Sequence, residues 1–290
     1  MARRRPPAVH GFVVIDKPAG MTSHDVVNIL RKKFGEKRIG HAGTLDPDAT
    51  GVLLIGVGNG TRLLKFLSEQ DKTYSCDIVF GVETDSLDST GTVTAQHEMP
   101  PIDISAVREV IQASFLGRIL QVPPMVSALK VDGKRLHELA REGIEVERQP
   151  REVVVHSFDV DTTDDPMVLH AHVNCGSGTY VRSLGADLGA ALGGGAHIRS
   201  LRRHSVGAFS LADASTLEDP QLLPMSEMLR GMDTQTLDAQ EIDDVLYGRP
   251  RRAWSGEGPW AIYSLEGELV AVYERWKDDL AKPSVVFGAR

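Results

Sequence analysis

Residues 40–51 read Gly-His-Ala-Gly-Thr-Leu-Asp-Pro-Asp-Ala-Thr-Gly, a polar stretch punctuated by glycines between two apolar segments. It presents the carboxylate of Asp46 from a sharp turn, because Pro47 fixes its own φ and disfavours the helical conformation for the residue before it. Catalytic groups concentrate in loops that a rigid scaffold carries. An isolated Asp before Pro is also a common turn-former or helix cap, so the surrounding sequence has to decide between these interpretations.

The wider sequence favours the catalytic interpretation. The stretch resembles the catalytic motif of the TruB family of tRNA pseudouridine synthases, a Gly-His-x-Gly-Thr-Leu-Asp-Pro loop that supplies the essential aspartate. Further segments resemble that family in the expected order across residues 11–210: residues 11–24, 72–74, 84–88, 178–184 and 195–203. Two positions depart from the family pattern, Val126 in place of an aromatic residue and His137 in place of Tyr. We expect these two substitutions to affect contacts with the RNA but not the catalytic chemistry.

The resemblance implies roles for individual residues. Asp46 would be the catalytic carboxylate, and Arg182 the cation that keeps it ionised in a closed pocket, since burial alone favours the protonated form. Tyr74 would stack on the target base, with its hydroxyl available for proton transfer. The remaining substrate-binding positions are His41, Tyr180 and Leu201, and the positions that support the catalytic loop are Lys17 and Pro18.

The implied activity is conversion of uridine 55 in the T-loop of tRNA to pseudouridine. This isomerisation breaks a C–N glycosidic bond, turns the uracil and rejoins it through carbon, so the base has to be flipped out of its stack and held. An ionised Asp46 can act as nucleophile or proton acceptor at the ribose or at the uracil, and both routes stay open. We expect no cofactor and no metal, because His170 and His172 share a strand face without a cysteine cluster beside them.

A second class of function stays open from the sequence: an RNA-binding or tRNA-folding protein in which catalysis is secondary or lost. The joint presence of Asp46, Tyr74 and Arg182 favours the enzyme, because a binding protein has no need of that trio. Guide-dependent modification of ribosomal RNA is a weaker alternative, since the sequence has no lysine-rich tail or long insertion typical of such an assembly.

Composition places the chain among ordinary globular proteins: 290 residues, 41% hydrophobic and 25% charged. Its two cysteines, Cys76 and Cys175, form no CxxC pair and indicate neither a disulfide framework nor a zinc site. The basic residues 1–7 are not followed by an apolar segment, and no apolar run reaches the roughly 18 residues of a membrane span. We therefore expect a cytoplasmic monomer that does not enter membranes.

The net charge of −8 is unusual for a protein that binds RNA, but the charge is unevenly distributed. Residues 1–66 carry eleven Lys and Arg against five Asp and Glu, whereas residues 213–244 carry nine acidic residues and one Arg. Basic clusters near the motifs predict a face that binds phosphates. These clusters are residues 31–33, 37–38, 130–135, 199–203 and 249–252.

Periodicity and capping signals predict an α+β fold with two domains. Residues 1–229 should form a pseudouridine synthase-like catalytic domain, a mixed β-sheet flanked by helices. Residues 230–290 should form a small PUA-like RNA-binding domain with a helical face at 242–246. Helices are predicted at 24–34 (capped by Ser23 and ended by Gly35), 104–116, 130–142 and 179–192, and strands at 11–16, 52–57, 73–80, 153–155, 168–173, 260–264 and 268–273.

Overall fold

The computed structural model describes residues 6–127, 129–131, 133–136, 139 and 142–287. The helices in this part of the chain are α1 (Ser23–Phe34), α2 (Leu64–Ser68), α3 (Ile104–Ser114), α4 (Val181–Ala191) and α5 (Ala239–Leu246), with 3-10 turns at Gly58–Arg62, Leu211–Asp213 and Met225–Leu229. The strands are β1 (Gly11–Lys17), β2 (Ile39–Ala42), β3 (Thr50–Val57), β4 (Lys72–Phe80), β5 (Val82–Thr84), β6 (Val93–Gln96), β7 (Gly117–Gln121), β8 (Lys130–Val131), β9 (Lys134–Arg135), β10 (Arg151–Thr162), β11 (Val168–Cys175), β12 (Ala196–Val206), β13 (Phe209–Ser210), β14 (Asp233–Leu237), β15 (Arg251–Arg252), β16 (Trp260–Ser264), β17 (Leu269–Arg275) and β18 (Leu280–Val286).

One large mixed sheet organises the first part of the chain. Its strand order is β1-β3-β12-β4-β11-β10-β7, with β2 paired to β3 and β13 paired to β12. The pairing of β12 with β3 is parallel, and the other described pairings of this sheet are antiparallel. Helices α1, α3 and α4 pack on one face through Leu30, Ile111 and Leu184. The predicted α+β class, with a mixed sheet flanked by helices, is confirmed.

Part of the opposite face of the large sheet, at β1 and β3, is covered by the C-terminal part of the chain. A five-stranded sheet of order β14-β16-β17-β18-β15 has its own core around Val245, Trp260 and Tyr273. Further buried side chains of this unit, such as Val272, join the cluster that contains Phe12 of β1. Truncation near residue 230 would therefore expose apolar surface of the large sheet, although the boundary at 229/230 itself stays a prediction.

Most predicted elements form within two residues of their predicted ends. The strand predicted at 153–155 is longer, Arg151–Thr162, and β12 (Ala196–Val206) has no predicted counterpart. Helix α1 begins at Ser23, and its N-cap is Thr22, which forms a capping box with Asp25, so the prediction of Ser23 as the cap is wrong. Gly35 ends this helix with φ 62°, as predicted. Helix α4 begins two residues later than predicted, because Tyr180 before it has extended backbone angles.

The predicted helix at 130–142 does not start as expected. Strands β8 and β9 form a short antiparallel hairpin there, and Gly133 has φ 85° in the turn between them. The sequence Asp132-Gly133 is a strong hairpin signal that outweighs the apolar periodicity of the segment. In the remainder of this predicted helix, Leu136 and Leu139 are described, and both are helical and buried. Residues 137, 138, 140 and 141, and with them His137, lie outside the described residues.

Candidate active site

Two contacts fix the loop that carries Asp46 to the scaffold. The Ser23 hydroxyl accepts a hydrogen bond from the Leu45 N–H at 2.9 Å and donates one to the Leu45 carbonyl at 3.1 Å. The Lys17 ammonium donates to the Pro47 carbonyl at 2.9 Å. Because Ser23 opens α1 and Lys17 ends β1, the two residues that flank Asp46 are held by regular secondary structure.

Asp46 and Arg182 form a bidentate ion pair. Arg182 Nε lies 3.0 Å from Asp46 Oδ2, and Nη2 donates to Oδ1 at 3.1 Å. The arginine is only 3% exposed, and its guanidinium also donates to the carbonyls of Ser86 at 2.7 Å and Val126 at 2.8 Å. A second carboxylate, that of Asp88, approaches Nε to 3.7 Å. The planar fork is thus held by these acceptors in a fixed orientation that a lysine could not reproduce.

The environment of Asp46 works against its ionisation. Burial raises the pKa of the Asp46 carboxyl above its ordinary value; Arg182 lowers this pKa in part, and the charge of Asp88 raises it again. The Asp46 side chain is still 38% exposed towards the cavity described next. Surrounding protein displaces much of its water while its oxygens stay accessible to a ligand. The predicted cation is in place, but it does not bring the pKa below the ordinary range.

A cavity of about 320 Å³ opens beside this ion pair. Its walls include five of the residues selected from the sequence, so the fold brings together side chains that are up to 155 positions apart. Its volume lies within the range of sites for small ligands. The five residues are Asp46, Tyr74, Tyr180, Arg182 and Leu201. The roles assigned to them stay predictions, but the structure shows that they line one cavity.

Tyr74 lies on β4 directly opposite Arg203 of β12. The ring is buried, and burial raises the pKa of its hydroxyl, although the charge of the nearby Arg203 guanidinium acts in the opposite direction. Tyr74 is therefore a neutral phenol near pH 7, suited to stacking on a base and to exchanging hydrogen bonds through its hydroxyl.

Tyr180 is held in the cavity wall by a residue that the sequence analysis does not select. Gln121, at the end of β7 and 2% exposed, donates from Nε2 to the Tyr180 carbonyl at 3.1 Å. Its Oε1 accepts a hydrogen bond from the Tyr180 N–H at 2.8 Å. An amide at a strand end gives no sequence signal that distinguishes a buried clamp from an exposed polar residue, so only the fold identifies it.

Three of the selected residues lie outside the cavity walls. His41 lies on β2, is partly exposed, and has its pKa lowered by burial and by the charge of Arg203. Lys17 is fully buried and donates to the carbonyls of Pro18, Met21 and Pro47. Pro18 is exposed and contributes through its carbonyl. These contacts support the proposed loop-supporting role of Lys17 and Pro18, which stays a prediction.

Arg203 is placed differently from the sequence interpretation. The sequence predicts that it belongs to a phosphate-binding surface with the basic cluster 199–203, but Arg203 is 1% exposed and lines the cavity. Its guanidinium donates to the carbonyls of Val52 at 2.8 Å and Gly43 at 2.9 Å, because β12 lies between β3 and β4. The adjacent Arg202 pairs instead with Asp16 at 2.8 Å. Reversal of the charge at 203 would therefore disturb the cavity and not an exposed RNA contact.

The described ranges contain no group of three or more His, Cys, Asp or Glu placed to hold a metal ion. No helix in this part of the chain is long and apolar enough to span a membrane.

Comparison with solved structures defines the class of fold. A chain from the structure of an H/ACA RNP bound to a substrate RNA containing 2′-deoxyuridine superposes with a TM-score of 0.72 at 23% identity, over 97% of this chain and 86% of that chain. A chain from a Cbf5-Nop10-Gar1 complex gives a TM-score of 0.70 at 25% identity, over 93% and 79%. The fold is therefore that of the pseudouridine synthase-like proteins found in such complexes.

Sequence comparison narrows the class to one family. The model of the TruB family pseudouridylate synthase N-terminal domain matches residues 31–181, and that of the tRNA pseudouridylate synthase B C-terminal domain matches residues 182–246. The tRNA pseudouridine synthase B of Thermobifida fusca is 41% identical over 96% of this chain and 98% of its own length. That of Geobacter sulfurreducens is 44% identical over 83% and 82%. The chain belongs to the TruB family of pseudouridylate synthases.

Proposed function

We propose that this protein is a tRNA pseudouridine synthase that converts uridine 55 in the T-loop to pseudouridine without a cofactor. The observation that carries the proposal is the bidentate pair of Asp46 and Arg182 on the wall of a cavity that Tyr74 also lines. Relatives named tRNA pseudouridine synthase B, similar over nearly the whole chain, support the same activity.

In the proposed reaction, Asp46 supplies the carboxylate and Arg182 fixes its orientation. The carboxylate acts as nucleophile or proton acceptor at the ribose or the uracil while the C1′–N1 bond is broken. The uracil then turns within the cavity and forms a bond from C5 to C1′, and the proton on C5 is finally lost while N1 gains one. Atoms balance without any second substrate, as an isomerisation requires.

The cavity walls suit the retention of a detached base. Tyr74 offers a flat aromatic face, and Leu201 contributes an apolar surface that excludes water. A uridine within a folded loop has to leave its stack to reach Asp46, at a cost of a few kcal/mol. His41 lies outside the cavity, and its imidazole is neutral because its pKa is lowered. In the proposed complex, His41 fills the space that the flipped base leaves in the RNA.

The proposed partner is the T-arm of tRNA, bound by a cytoplasmic monomer. Residues 230–290 would act as a PUA-like RNA-binding domain. Their sheet packs against the face of the large sheet opposite α1 and α4, so this unit would bind RNA as part of one body with the catalytic sheet. Basic side chains such as Arg251 and Lys277 lie on it close to aromatic rings, an arrangement common in RNA-binding surfaces.

The test uses an unmodified tRNA transcript labelled with tritium at C5 of uridine, because bond formation at C5 releases that hydrogen. We expect release by the wild-type protein, mapping of the product to position 55, and none from a transcript with cytidine at that position. Asp46→Asn should abolish release but keep RNA binding, since shape and phosphate contacts mainly set affinity. Asp48→Asn, in the same loop and exposed, is the matched control and should stay active. Turnover by Asp46→Asn would overturn the assignment of Asp46, and RNA binding without any wild-type turnover would favour a pure binding protein.

A further inference from the structure

Two buried cations form a part of the cavity wall that the reaction described above does not use. Lys72 and Tyr74 alternate along β4 and so share one face of the strand. Arg203 lies opposite Tyr74 on β12, and all three residues line the cavity. Gly43 of the catalytic loop lies against both cations: a Cβ placed there would be 3.3 Å from Arg203 Nη1 and 3.5 Å from Lys72 Cε.

These cations differ from Arg182 in what surrounds them. Lys72 is 6% exposed and donates to the carbonyls of Ser68 at 3.1 Å and Gln70 at 2.6 Å. The guanidinium of Arg203 donates to two backbone carbonyls, those of Val52 and Gly43. Among the described residues, neither cation has a carboxylate within ion-pair distance. Burial of a charge without a counter-charge is costly, and here two such charges face the same cavity.

The reaction supplies a transient anion at this location. If Asp46 attacks the ribose, the electron pair of the C1′–N1 bond goes to the uracil, which leaves as an anion delocalised over its ring oxygens. If Asp46 attacks C6 of the uracil, the displaced π electrons move to O4 as an enolate. In both routes the ring carries a negative charge until the C5–C1′ bond forms.

We propose that Lys72 and Arg203 stabilise the negative charge of the uracil ring while it is detached or activated. Lys72 is the group that contacts the ring, and Arg203 contributes its charge and positions Tyr74. This inference rests on the proposed function, because it assigns the substrate of the same cavity. Pre-positioned donors in a site shielded from water stabilise developing charge more effectively than water does.

A phosphate of the RNA is a less suitable occupant. Both cations are more than nine-tenths buried and are reached through the cavity that holds Asp46, whereas a backbone phosphate stays at the surface of a folded RNA loop. A phosphate contact would make Lys72 a determinant of affinity. A contact with the uracil makes it a determinant of the chemical step.

The test compares Lys72→Met, Lys72→Arg and the control Lys65→Met, an exposed lysine of α2 that pairs with Glu274 outside the cavity. Single-turnover cleavage of the C1′–N1 bond is measured at saturating enzyme, with uridine or 5-fluorouridine at position 55. Fluorine withdraws electrons and stabilises the uracil anion without help from the protein. RNA affinity and thermal unfolding are measured for each variant.

For Lys72→Met we expect a loss of roughly 100-fold with uridine, a clearly smaller loss with 5-fluorouridine, and unchanged RNA affinity. Lys72→Arg should retain more of the rate than Lys72→Met, and Lys65→Met should behave as wild type. An equal loss with both bases, or a loss that appears in affinity alone, would overturn the proposal. Absence of turnover by the wild-type protein would instead contradict the proposed function, so the two failures are distinguishable.

Discussion

The Lys17 ammonium donates a 2.9 Å hydrogen bond to the carbonyl of Pro47, the residue that follows Asp46. Lys17 is the last residue of β1 and is fully buried. Burial lowers its pKa to about 8, although the charges of Asp48 and Asp46 favour its protonation. The sheet therefore supports the catalytic loop through one buried cation whose donors are used by backbone carbonyls.

Lys17→Met should weaken both the fold and the catalytic rate. The substitution leaves the carbonyls of Pro18, Met21 and Pro47 without their donor, and an unsatisfied buried acceptor costs about 1–3 kcal/mol. We expect a lower midpoint of urea unfolding and slower single-turnover isomerisation. Lys32→Met, on the exposed face of α1, is the control. Normal activity of Lys17→Met would show that the loop holds its position without this contact.

The acid limb of the pH profile should reveal the environment of Asp46. Because its pKa is raised, a larger fraction of Asp46 is protonated at a given acidic pH than for an ordinary aspartate, so the rate should begin to fall at a higher pH. Asp88→Asn removes a charge that raises this pKa, so the limb should move to lower pH. The measurement is the single-turnover rate against pH for both proteins. A shift of the acid limb to higher pH in Asp88→Asn would contradict the conclusion that the charge of Asp88 raises the pKa of Asp46.

Arg182→Lys should lose about 100-fold or more in rate, because one ammonium cannot serve two Asp46 oxygens and the carbonyls of Ser86 and Val126 together. Arg199→Lys is the matched control, since Arg199 is half exposed and pairs with Asp77. Single-turnover kinetics at saturating enzyme check both. Near-normal turnover by Arg182→Lys would mean that charge alone matters at this position.

The alkaline limb of the profile of rate against pH should depend on the protonation of Lys72. Burial and, to a smaller extent, the charge of Arg203 lower the pKa of Lys72 to about 8, although Cys175 and Asp71 act in the opposite direction. If the protonated form is needed, the rate should fall as the pH rises through about 8, and Lys72→Arg should move that limb upward because Arg stays protonated. Rates against pH provide the measurement. A limb that is unchanged in Lys72→Arg would point to Lys17, whose pKa is also about 8.

The sequence identifies the catalytic loop because that loop is a local signal. Residues 40–51 carry their own turn chemistry, and the alternation of Tyr74, Cys76, Ile78 and Phe80 identifies the buried face of β4. The helix and strand predictions hold where one face is clearly apolar. They fail at 130–135, where turn chemistry outweighs periodicity.

The parts of the site that the sequence does not give depend on strand pairing. In the sequence, Arg203 is one of several neighbouring arginines. Only its register opposite Tyr74 shows that it points inward, while Arg202 pairs with Asp16. Gln121 likewise becomes recognisable once β7 ends beside Tyr180. Non-local pairing is not encoded in any short segment, so these contacts require the structure.

The basic surface formed by the end of α1 and the loop that follows it should make RNA binding strongly dependent on salt, because each neutralised phosphate releases condensed counterions. Lys32 and Lys37 are exposed and do not line the cavity. Lys32→Glu and Lys37→Glu should each weaken tRNA binding and reduce the slope of log affinity against log salt by about 1. Affinity at several salt concentrations is the measurement. The single-turnover rate at saturating enzyme is the internal control and should not change. An affinity that does not depend on salt, or variants that bind normally but isomerise slowly, would contradict the separation of an RNA-binding face from the chemistry at Asp46.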